Sequence, residues 1–529
     1  MPFKTAIINS VWAASNLPSY WRFLNVLPCD RRPVSSQNQK LEGLLRANER
    51  TAFGKTHGFA EIKSHADFKR RVPISDYAGF EPWIRRIQDG ETNVLTSEPV
   101  THLIPTSGSS GGRKLIPFTA GLQREFNAGI GPWLIDLIRQ FPSILGGRAY
   151  WSITPSLGER SSEPSAIPIG FDADTAYLGD KRQKLAEAVM AVPANAHRAP
   201  SLDQFRYQTL LHLLLCPDLR LISVWHPSFF TLLLDALPDH WNRLLNDIEK
   251  GSPMTKPNPG RARELLASDP VDPQLLWPSL QVISCWSDAA AALPAQQLRR
   301  RFPHAFLQPK GLLATEGFVT LPFAGKHPLA ITSHFFEFLD DRGTPHMVDG
   351  LRTGQEYEVV LTTAGGLWRY RLGDRVRVTR WLGAVPSLEF LGRTGIASDL
   401  FGEKVSEEFV VQLFSEIFNR TPVRFALLAP DRDEEGCRYT LYLEGPTSSD
   451  LTDSLERGLR RNPHYAYCRD LGQLLPVRLF EIHSRGYESY IERQSATGAR
   501  LGDIKPAALS RAPGWSQILQ GRYADPVLC

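Results

Sequence analysis

The chain has 529 residues, more than one hydrophobic core usually organises, and its composition (42% hydrophobic, 22% charged) is that of a soluble globular protein. The net charge of +4 is small for this length and gives no support to a nucleic-acid partner. No apolar run is long enough to span a membrane, and the N-terminal apolar stretch is too short for a secretory signal. The six cysteines show no metal-ligand spacing, so we expect reduced thiols in a cytoplasmic protein that does not bind membranes.

The first motif is a loop of hydroxyl residues and glycines that follows an apolar strand near residues 100–106. The loop consists of Thr106, Ser107, Gly108, Ser109, Ser110, Gly111 and Gly112. Because glycine has no Cβ, backbone N–H groups of such a loop can approach phosphate oxygens closely. The glycine pair is followed by Arg113 and Lys114, so the loop is not a Walker A motif. The alternative is a flexible surface loop with two solvated cations.

Beyond this loop the sequence predicts a helix, capped by Thr119, with apolar residues at helical spacing through Leu137. Strand-like and helical segments then alternate, which favours an α/β or mixed α+β fold. The predicted strands are 220–225, 280–285 and 358–362, the predicted helices are 229–237 and 294–301, and 251–260 is predicted to be a surface loop.

A change of composition follows residue 395 and predicts a second, compact α+β unit. This unit contains predicted helices at 406–419 and 451–460 and predicted strands at 425–429, 438–443 and 477–482. We therefore expect domains at 1–395 and 396–529, with a hinge at about residues 393–400.

The second motif is Thr315-Glu316-Gly317, which follows a strand-like segment at 304–308. A carboxylate at a strand end supplies a hard oxygen ligand for Mg²⁺, and a neighbouring hydroxyl can donate to a phosphate oxygen. The alternative for this tripeptide is an ordinary structural turn.

In the third motif a strand passes through a glycine turn into a second strand, which is predicted to end at Gly373-Asp374. An aspartate there can accept two hydrogen bonds from a ribose diol, although a turn aspartate is the alternative. Arg393 lies further along, where it can reach ribose or phosphate or pair with a surface carboxylate.

Two lysines complete the set of candidate residues. Lys404 precedes a helix for which Ser406 is the predicted N-cap, and Lys505 lies near the C-terminus. A lysine on a mobile segment can meet charge that develops at a carboxylate and an α-phosphate. An exposed loop lysine is the alternative.

The order of these motifs resembles that of the acyl-adenylate-forming superfamily, which includes firefly luciferase. Residues 106–117 and 367–374 are most similar to the auxin-responsive acyl-acid amido synthetases, the "GH-three" enzymes of plants and their bacterial relatives. The resemblance implies a large N-terminal domain with a β-barrel and α/β sheets and a small, mobile C-terminal α+β cap. It also implies ATP-dependent activation of a small carboxylic acid as an acyl-adenylate, followed by amide formation with an amino acid.

The resemblance implies roles for individual residues. The loop from Thr106 to Gly112 would hold nucleotide phosphate, Thr315 would contact the α-phosphate, and Gly317 would also lie at the nucleotide. Glu316 would bind Mg²⁺, Asp374 would bind the ribose hydroxyls with Arg393 beside it, and Lys404 or Lys505 would reach the acyl-phosphate oxygens. Leu312 stands where the family commonly has a tyrosine that stacks on adenine, so the adenine contact is either aliphatic or supplied by Phe318.

The acid pocket is predicted only by residue type. Candidates are aromatic residues for each of which core packing is the alternative: Trp133, Trp151, Phe171, Tyr177, Phe205 and Trp225. Neither the acid nor the amine is identified. Two other functions stay open at this point, an acid–thiol ligase that makes acyl-coenzyme A from the same adenylate and a non-catalytic binding protein on this fold.

Overall fold

The structure of the protein is a computed structural model. It describes most of the chain. Described are residues 2–28, 31–106, 114–151, 165–170, 180–268, 272–393, 397–401, 403–419, 421–433, 435–496, 504 and 506–524. The candidate residues from Ser107 to Gly112, and Lys505, lie outside these ranges.

Helices form the N-terminal part of the fold, and several begin at side chains that cap them. The helices are α1 (Pro2–Leu24), α2 (Arg31–Asn48), α3 (Ala52–Thr56), α4 (His65–Arg71) and α5 (Tyr77–Gln88). Thr51, Ser64 and Asp76 each accept a hydrogen bond from a backbone N–H of the first turn that follows. Over the described ranges, no helix has both the length and the apolarity that a membrane crossing needs.

A β-hairpin brackets the hydroxyl- and glycine-rich loop. Strands β1 (His102–Thr106) and β2 (Lys114–Phe118) are antiparallel, with Thr106 opposite Lys114. The sequence predicts a loop followed by a helix capped by Thr119, and it missed strand β2 between them, whose apolar residues are buried. Helix α6 (Ala120–Gln140) follows, and the Thr119 side chain accepts from Leu122 N as predicted.

A parallel sheet forms the second layer. Its four strands neighbour one another in chain order, β3 (Arg148–Trp151), β4 (Leu219–Ser223), β5 (Val282–Cys285) and β6 (Phe306–Pro309). The helices between and around them are α7 (Asp180–Val189), α8 (Leu202–Leu214), α9 (Pro227–Asp235), α10 (Leu237–Lys250), α11 (Pro259–Leu266), α12 (Pro273–Leu276) and α13 (Ala292–Arg301). All four strands point the same way, so their carboxyl ends meet at one edge of the sheet.

The strand and helix predictions for this layer are confirmed, with small differences at the ends. The predicted loop 251–260 is wrong at its last two positions, because α11 begins at Pro259. Proline suits a first helical turn, and the Asn258 side chain caps the helix by accepting from Arg261 N.

An antiparallel sheet carries the third motif. Its strands are β7 (Phe335–Leu339), β8 (Pro345–His346), β9 (Glu356–Thr362), β10 (Tyr370–Leu382) and β11 (Val385–Arg393), in the order β11-β10-β9-β7-β8. The strand predicted to end at Gly373-Asp374 continues to Leu382, because alternating buried and polar residues maintain it. Its pairing with β9 is irregular between Arg371 and Arg375, so Asp374 lies at a break in that ladder.

The C-terminal part is an α+β unit. It contains β12 (Ala397–Ser398), β13 (Val405–Ser406), α14 (Glu407–Ile417), β14 (Phe425–Asp433), β15 (Gly436–Glu444), α15 (Leu451–Leu459), α16 (Pro463–Asp470), β16 (Arg478–Ile482), α17 (Gly486–Ala496) and β17 (Gly521–Tyr523). Strands β14 to β17 form one sheet in chain order. The mixed α/β fold class is confirmed, and in this unit each predicted helix and strand is present.

Candidate active site

An ion pair between neighbouring strands forms the centre of the site. Asp374 on β10 is directly opposite Arg393 on β11, and Arg393 Nε donates to Asp374 Oδ1 over 3.0 Å. The antiparallel register therefore explains why two candidates 19 residues apart in sequence meet in space. Asp374 is fully buried, and its charge is the main reason that the pKa of Arg393 is raised.

The second carboxylate oxygen of Asp374 has no partner. Oδ2 is buried and accepts no hydrogen bond from the described residues. Leaving a buried acceptor unsatisfied costs about 1–3 kcal/mol, more for a charged group. Such an oxygen is suited to accept from a hydroxyl of a bound molecule, so the residues present fit the ribose of a nucleotide.

Glu316 brings a second buried carboxylate to the same place. It lies in the turn after β6, which is closed by hydrogen bonds between Ala314 and Gly317, and it is 5% exposed. Burial raises the pKa of Glu316; the charge of Arg393 opposes this shift, and the charge of Asp374 adds to it. The single positive charge of Arg393 thus faces two carboxylates, those of Asp374 and Glu316. A second cation beside them is therefore favoured.

A divalent cation fits this charge balance, although the described residues contain no group of three or more metal-ligating side chains. Mg²⁺ is commonly held by one or two carboxylates together with substrate phosphates rather than by a protein cage. Glu316 can supply such a carboxylate. Lys114, at the mouth of the hairpin loop, is also close enough to lower the pKa of Glu316.

The remaining loop candidates lie around this cluster. Thr315 is half-buried next to Glu316, and Thr106 is half-buried at the end of β1. Gly317 is closely packed, because a Cβ there would lie 3.0 Å from Leu361 Cδ1 and 3.1 Å from His334 Nε2. A side chain at this position would therefore require Leu361 or His334 to move by a few tenths of an ångström.

Lys404 is exposed and is not joined to the cluster by any contact within the described ranges. Its backbone has a positive φ of 44°. The neighbouring Glu403 is fully buried and accepts from Leu400 N, from Phe401 N and from the Tyr439 hydroxyl. The segment that carries Lys404 is therefore fixed by a carboxylate that the sequence did not single out.

Neither candidate for the adenine contact has an exposed face. Leu312 is 5% exposed and Phe318 is 3% exposed, and the Phe318 ring packs edge-on against Phe126. The adenine contact stays a prediction.

The aromatic candidates for the acid pocket separate into two groups. Phe205 is fully buried in the core around α8, so for this residue the alternative, core packing, is confirmed. Phe171 and Tyr177 lie outside the described residues. Three of them, Trp133, Trp151 and Trp225, lie at the carboxyl edge of the parallel sheet, together with residues that the sequence reasoning missed, Trp286 and Lys310. The available signal was that Trp286 directly follows the predicted strand 280–285 and that Lys310 lies two residues after the strand-like segment 304–308.

Family models match most of the chain in three consecutive segments. Residues 27–307 match the GH3 family N-terminal domain, 327–393 the GH3 family central domain, and 407–513 the GH3 family C-terminal domain. Among curated proteins, a probable indole-3-acetic acid-amido synthetase GH3.4 of Oryza sativa subsp. japonica is 24% identical over 93% of this chain and 88% of its own length. A second rice protein, named as probable synthetase GH3.12, is 26% identical over 90% of this chain and 91% of its own length.

Solved structures have the same fold. A GH3.15 acyl acid amido synthetase in complex with 2,4-DB superposes with a TM-score of 0.83 and 18% identity over 94% of each chain. A 2-hydroxyisobutyryl-CoA ligase with a bound adenylate superposes less well, with a TM-score of 0.52 and 12% identity over 87% of this chain and 88% of its own. This likeness reaches the wider adenylate-forming fold, and the three matched segments show that the chain belongs to the GH3 family.

Proposed function

We infer that the protein is an ATP-dependent acyl-acid amido synthetase, an AMP-forming ligase that makes carbon–nitrogen bonds. The observation that carries this inference is the buried, unpaired Oδ2 of Asp374 beside Arg393 and Glu316, in a chain of the GH3 family. Relatives are named as indole-3-acetic acid-amido synthetases, and one related structure holds 2,4-DB. The substrates we propose are ATP, a small carboxylic acid and an amino acid.

The two carboxylates have different proposed roles. Asp374 accepts the ribose hydroxyls through Oδ2, while Arg393 Nε donates to Oδ1 and holds the carboxylate in place. Thr315 and Gly317 lie at the α-phosphate, and Glu316 holds Mg²⁺. When bound, this ion supplies positive charge that offsets the repulsion between a carboxylate and a polyphosphate.

The loop from Thr106 to Gly112 has a proposed role in holding phosphate. Its ends are fixed by the β1–β2 hairpin, which places Thr106 opposite Lys114. The positive charge of Lys114 opposes the rise that burial causes in the pKa of Glu316, so the hairpin lies close to the second motif. Lys404 and Lys505 are proposed to reach the acyl-phosphate oxygens from the C-terminal part of the chain.

The reaction then has two steps. A carboxylate oxygen of the acid attacks the α-phosphorus of ATP, the bond to the β-phosphate oxygen breaks, and pyrophosphate leaves. The amine nitrogen attacks the carbonyl carbon of the acyl-adenylate, loses a proton, and AMP leaves. Neither step needs a covalent bond to the protein, so positioning and charge are what the residues must supply.

The division into domains 1–395 and 396–529 is proposed on the basis of packing. Core residues up to 388 form clusters around β3–β6 and β7–β11, and core residues from 405 onward form two further clusters. The short β12–β13 pair lies between them, close to the proposed hinge. The proposed location is the cytoplasm, where free thiols such as those of Cys216, Cys285, Cys437 and Cys468 are usual.

Titration calorimetry with ATP and Mg²⁺ tests the nucleotide site. Replacing Asp374 with alanine removes charge-assisted hydrogen bonds and should weaken ATP binding roughly ten- to a hundredfold. Asp341→Ala is the matched control, because Asp341 lies in the turn between β7 and β8 of the same sheet and its side chain is 81% exposed. Equal binding by both variants and the wild type would contradict this placement of the nucleotide.

Product analysis separates the three functions that the sequence left open. An amido synthetase releases pyrophosphate when acid and ATP are present and forms AMP faster when an amino acid is added. Consumption of coenzyme A would instead indicate an acid–thiol ligase. A non-catalytic protein would release no pyrophosphate with any acid.

A further inference from the structure

The carboxyl edge of the parallel sheet gathers a set of side chains that the nucleotide site does not use. Trp151 ends β3 opposite Ser223, which ends β4. Trp225, Trp286 and Lys310 follow the ends of β4, β5 and β6. Ligands of open α/β sheets bind outside the carboxyl ends of the strands.

Backbone hydrogen bonds hold the residues after the strands in place. Trp286 N donates to Trp225 O over 2.9 Å, and Lys310 N donates to Cys285 O over 2.9 Å. The sheet ladder thus extends beyond the strand ends and fixes the bases of these side chains. A site built on such rigid elements holds its geometry better than a site on a free loop.

Four indole rings form a tryptophan cleft, defined here as Trp133, Trp151, Trp225 and Trp286. The Trp133 and Trp151 ring centroids are 6.3 Å apart, and those of Trp225 and Trp286 are 5.6 Å apart. Trp133 is anchored by a hydrogen bond from Nε1 to Gln308 Oε1 over 2.8 Å. The other three indoles are only half-buried, so part of their apolar surface is exposed.

Lys310 places an ammonium group in this cleft. Its Nζ donates to Ser223 Oγ over 2.6 Å and lies 5.1 Å from the Trp133 ring centroid and 5.3 Å from that of Trp225. Within the described ranges, Lys310 has no carboxylate within ion-pair distance. The neighbouring Cys285 thiol is neutral at pH 7, because burial raises its pKa to about 12.

Among the described residues, the partners of Lys310 are therefore neutral groups. Burial lowers the pKa of Lys310 to about 8, which records the cost of keeping the ammonium among indoles. An oxygen anion on a bound molecule would offset that cost, and it would do so in a setting of low dielectric constant.

The cleft and the nucleotide cluster lie at the two ends of one loop. Lys310 begins the segment 310–317, and Glu316 lies near its end, fixed by the turn between Ala314 and Gly317. Apart from burial, the charges of Arg393, Asp374 and Lys114 shift the pKa of Glu316. The pKa of Lys310 is instead affected by burial and by Cys285. Lys310 thus belongs to a different charge environment from the reacting end of the site.

We propose that the tryptophan cleft binds the body of the acid substrate and that Lys310 binds a second oxygen anion, distinct from the carboxylate that is adenylated. The substrate class is then a planar acid with anionic oxygens at both ends. The proposal deepens the proposed function and rests on it for the reacting end of the acid.

The test compares two acids that differ in one carboxylate, terephthalate and benzoate. Binding to the full-length protein is followed without ATP by quenching of tryptophan fluorescence. The wild type should bind terephthalate at least about tenfold more tightly than benzoate. Lys310→Met should remove this preference and leave benzoate affinity within about threefold of the wild type.

Two further variants separate charge recognition from folding. Lys310→Arg keeps a cation and should retain the preference for terephthalate. Lys326→Met makes the same change at a lysine that donates to Trp381 O outside the cleft, and it should behave as the wild type. The proposal would be overturned if Lys310→Met lost affinity for terephthalate and benzoate equally, or if the wild type showed no preference between the two acids.

Pyrophosphate release separates this proposal from the proposed function. If terephthalate binds through Lys310 but no acid supports pyrophosphate release, the cleft assignment stands and the ligase assignment fails. If benzoate and terephthalate are adenylated equally well by the wild type and by Lys310→Met, the ligase assignment stands and Lys310 does not recognise a second anion.

Discussion

At the residue scale, a buried ion pair between Arg369, which directly precedes β10, and Glu337 on β7 supports the sheet that carries Asp374. Arg369 donates to both oxygens of Glu337 over 2.7 and 2.9 Å, and both side chains are almost fully buried. His65 lies 2.9 Å from the same carboxylate, and Arg369 also donates to Val72 O. Burial opposes ionisation of Glu337, but the hydrogen bonds from His65 and Arg369 hold its pKa below the usual value.

Replacing Arg369 with methionine should therefore destabilise the protein strongly. The change leaves a buried carboxylate with one partner, for which a loss of about 3–5 kcal/mol of unfolding free energy is expected. Urea denaturation followed by circular dichroism measures the loss. Arg371→Met is the control. Arg371 lies two residues after Arg369 and pairs with Glu358, but its side chain is 51% exposed. Equal losses in the two variants would contradict the role of burial.

At the element scale, the cap of α6 joins the hairpin to the antiparallel sheet. The Thr119 hydroxyl accepts from Leu122 N over 3.1 Å and donates to Ala364 O over 3.1 Å, and Thr119 is fully buried. One side chain thus begins the helix and fixes the turn before β10. The start of α6, directly after β2, and the turn between β9 and β10 are joined through this contact.

Thr119→Ala should shift the urea midpoint by an amount that corresponds to about 1–2 kcal/mol, because a buried cap and its acceptor both lose a partner. Thr119→Ser keeps the hydroxyl and should lose less. Ser201→Ala removes the cap of α8, where Ser201 is exposed and accepts from Gln204 N. A larger loss in Ser201→Ala than in Thr119→Ala would contradict the structural role assigned to Thr119.

At the scale of the whole molecule, polar contacts within the described ranges join the C-terminal unit to the parallel-sheet layer. Arg206 on α8 lies 4.0 Å from Glu488 on α17, and the Tyr487 hydroxyl lies 3.3 Å from His226 Nδ1. Gln297 donates to Val423 O. His226 directly follows Trp225, so the docking of the C-terminal unit adjoins the tryptophan cleft.

Arg206→Glu should loosen this docking, because two carboxylates then face each other. Trypsin cleavage near residues 393–404 should become about two- to fivefold faster. This fold-change corresponds to the small free energy that a partly exposed ion pair contributes. The double variant Arg206→Glu/Glu488→Arg should restore the wild-type rate. If the double variant is cleaved as fast as the single one, the contact does not control the docking.

The sequence by itself determined the fold class, the family and most element positions, because these depend on local patterns. Periodicity located the strands of the parallel sheet, and Thr119 and Ser406 marked helix starts through their capping chemistry. It misjudged the end of β10, because the pairing with β9 is interrupted between Arg371 and Arg375 but the strand continues, paired with β11, to Leu382. Only the tertiary structure decided which candidates meet: the register that joins Asp374 to Arg393, and the parallel ladder that places Lys310 among indoles from distant segments. Such contacts depend on how strands align, and no local pattern encodes that alignment.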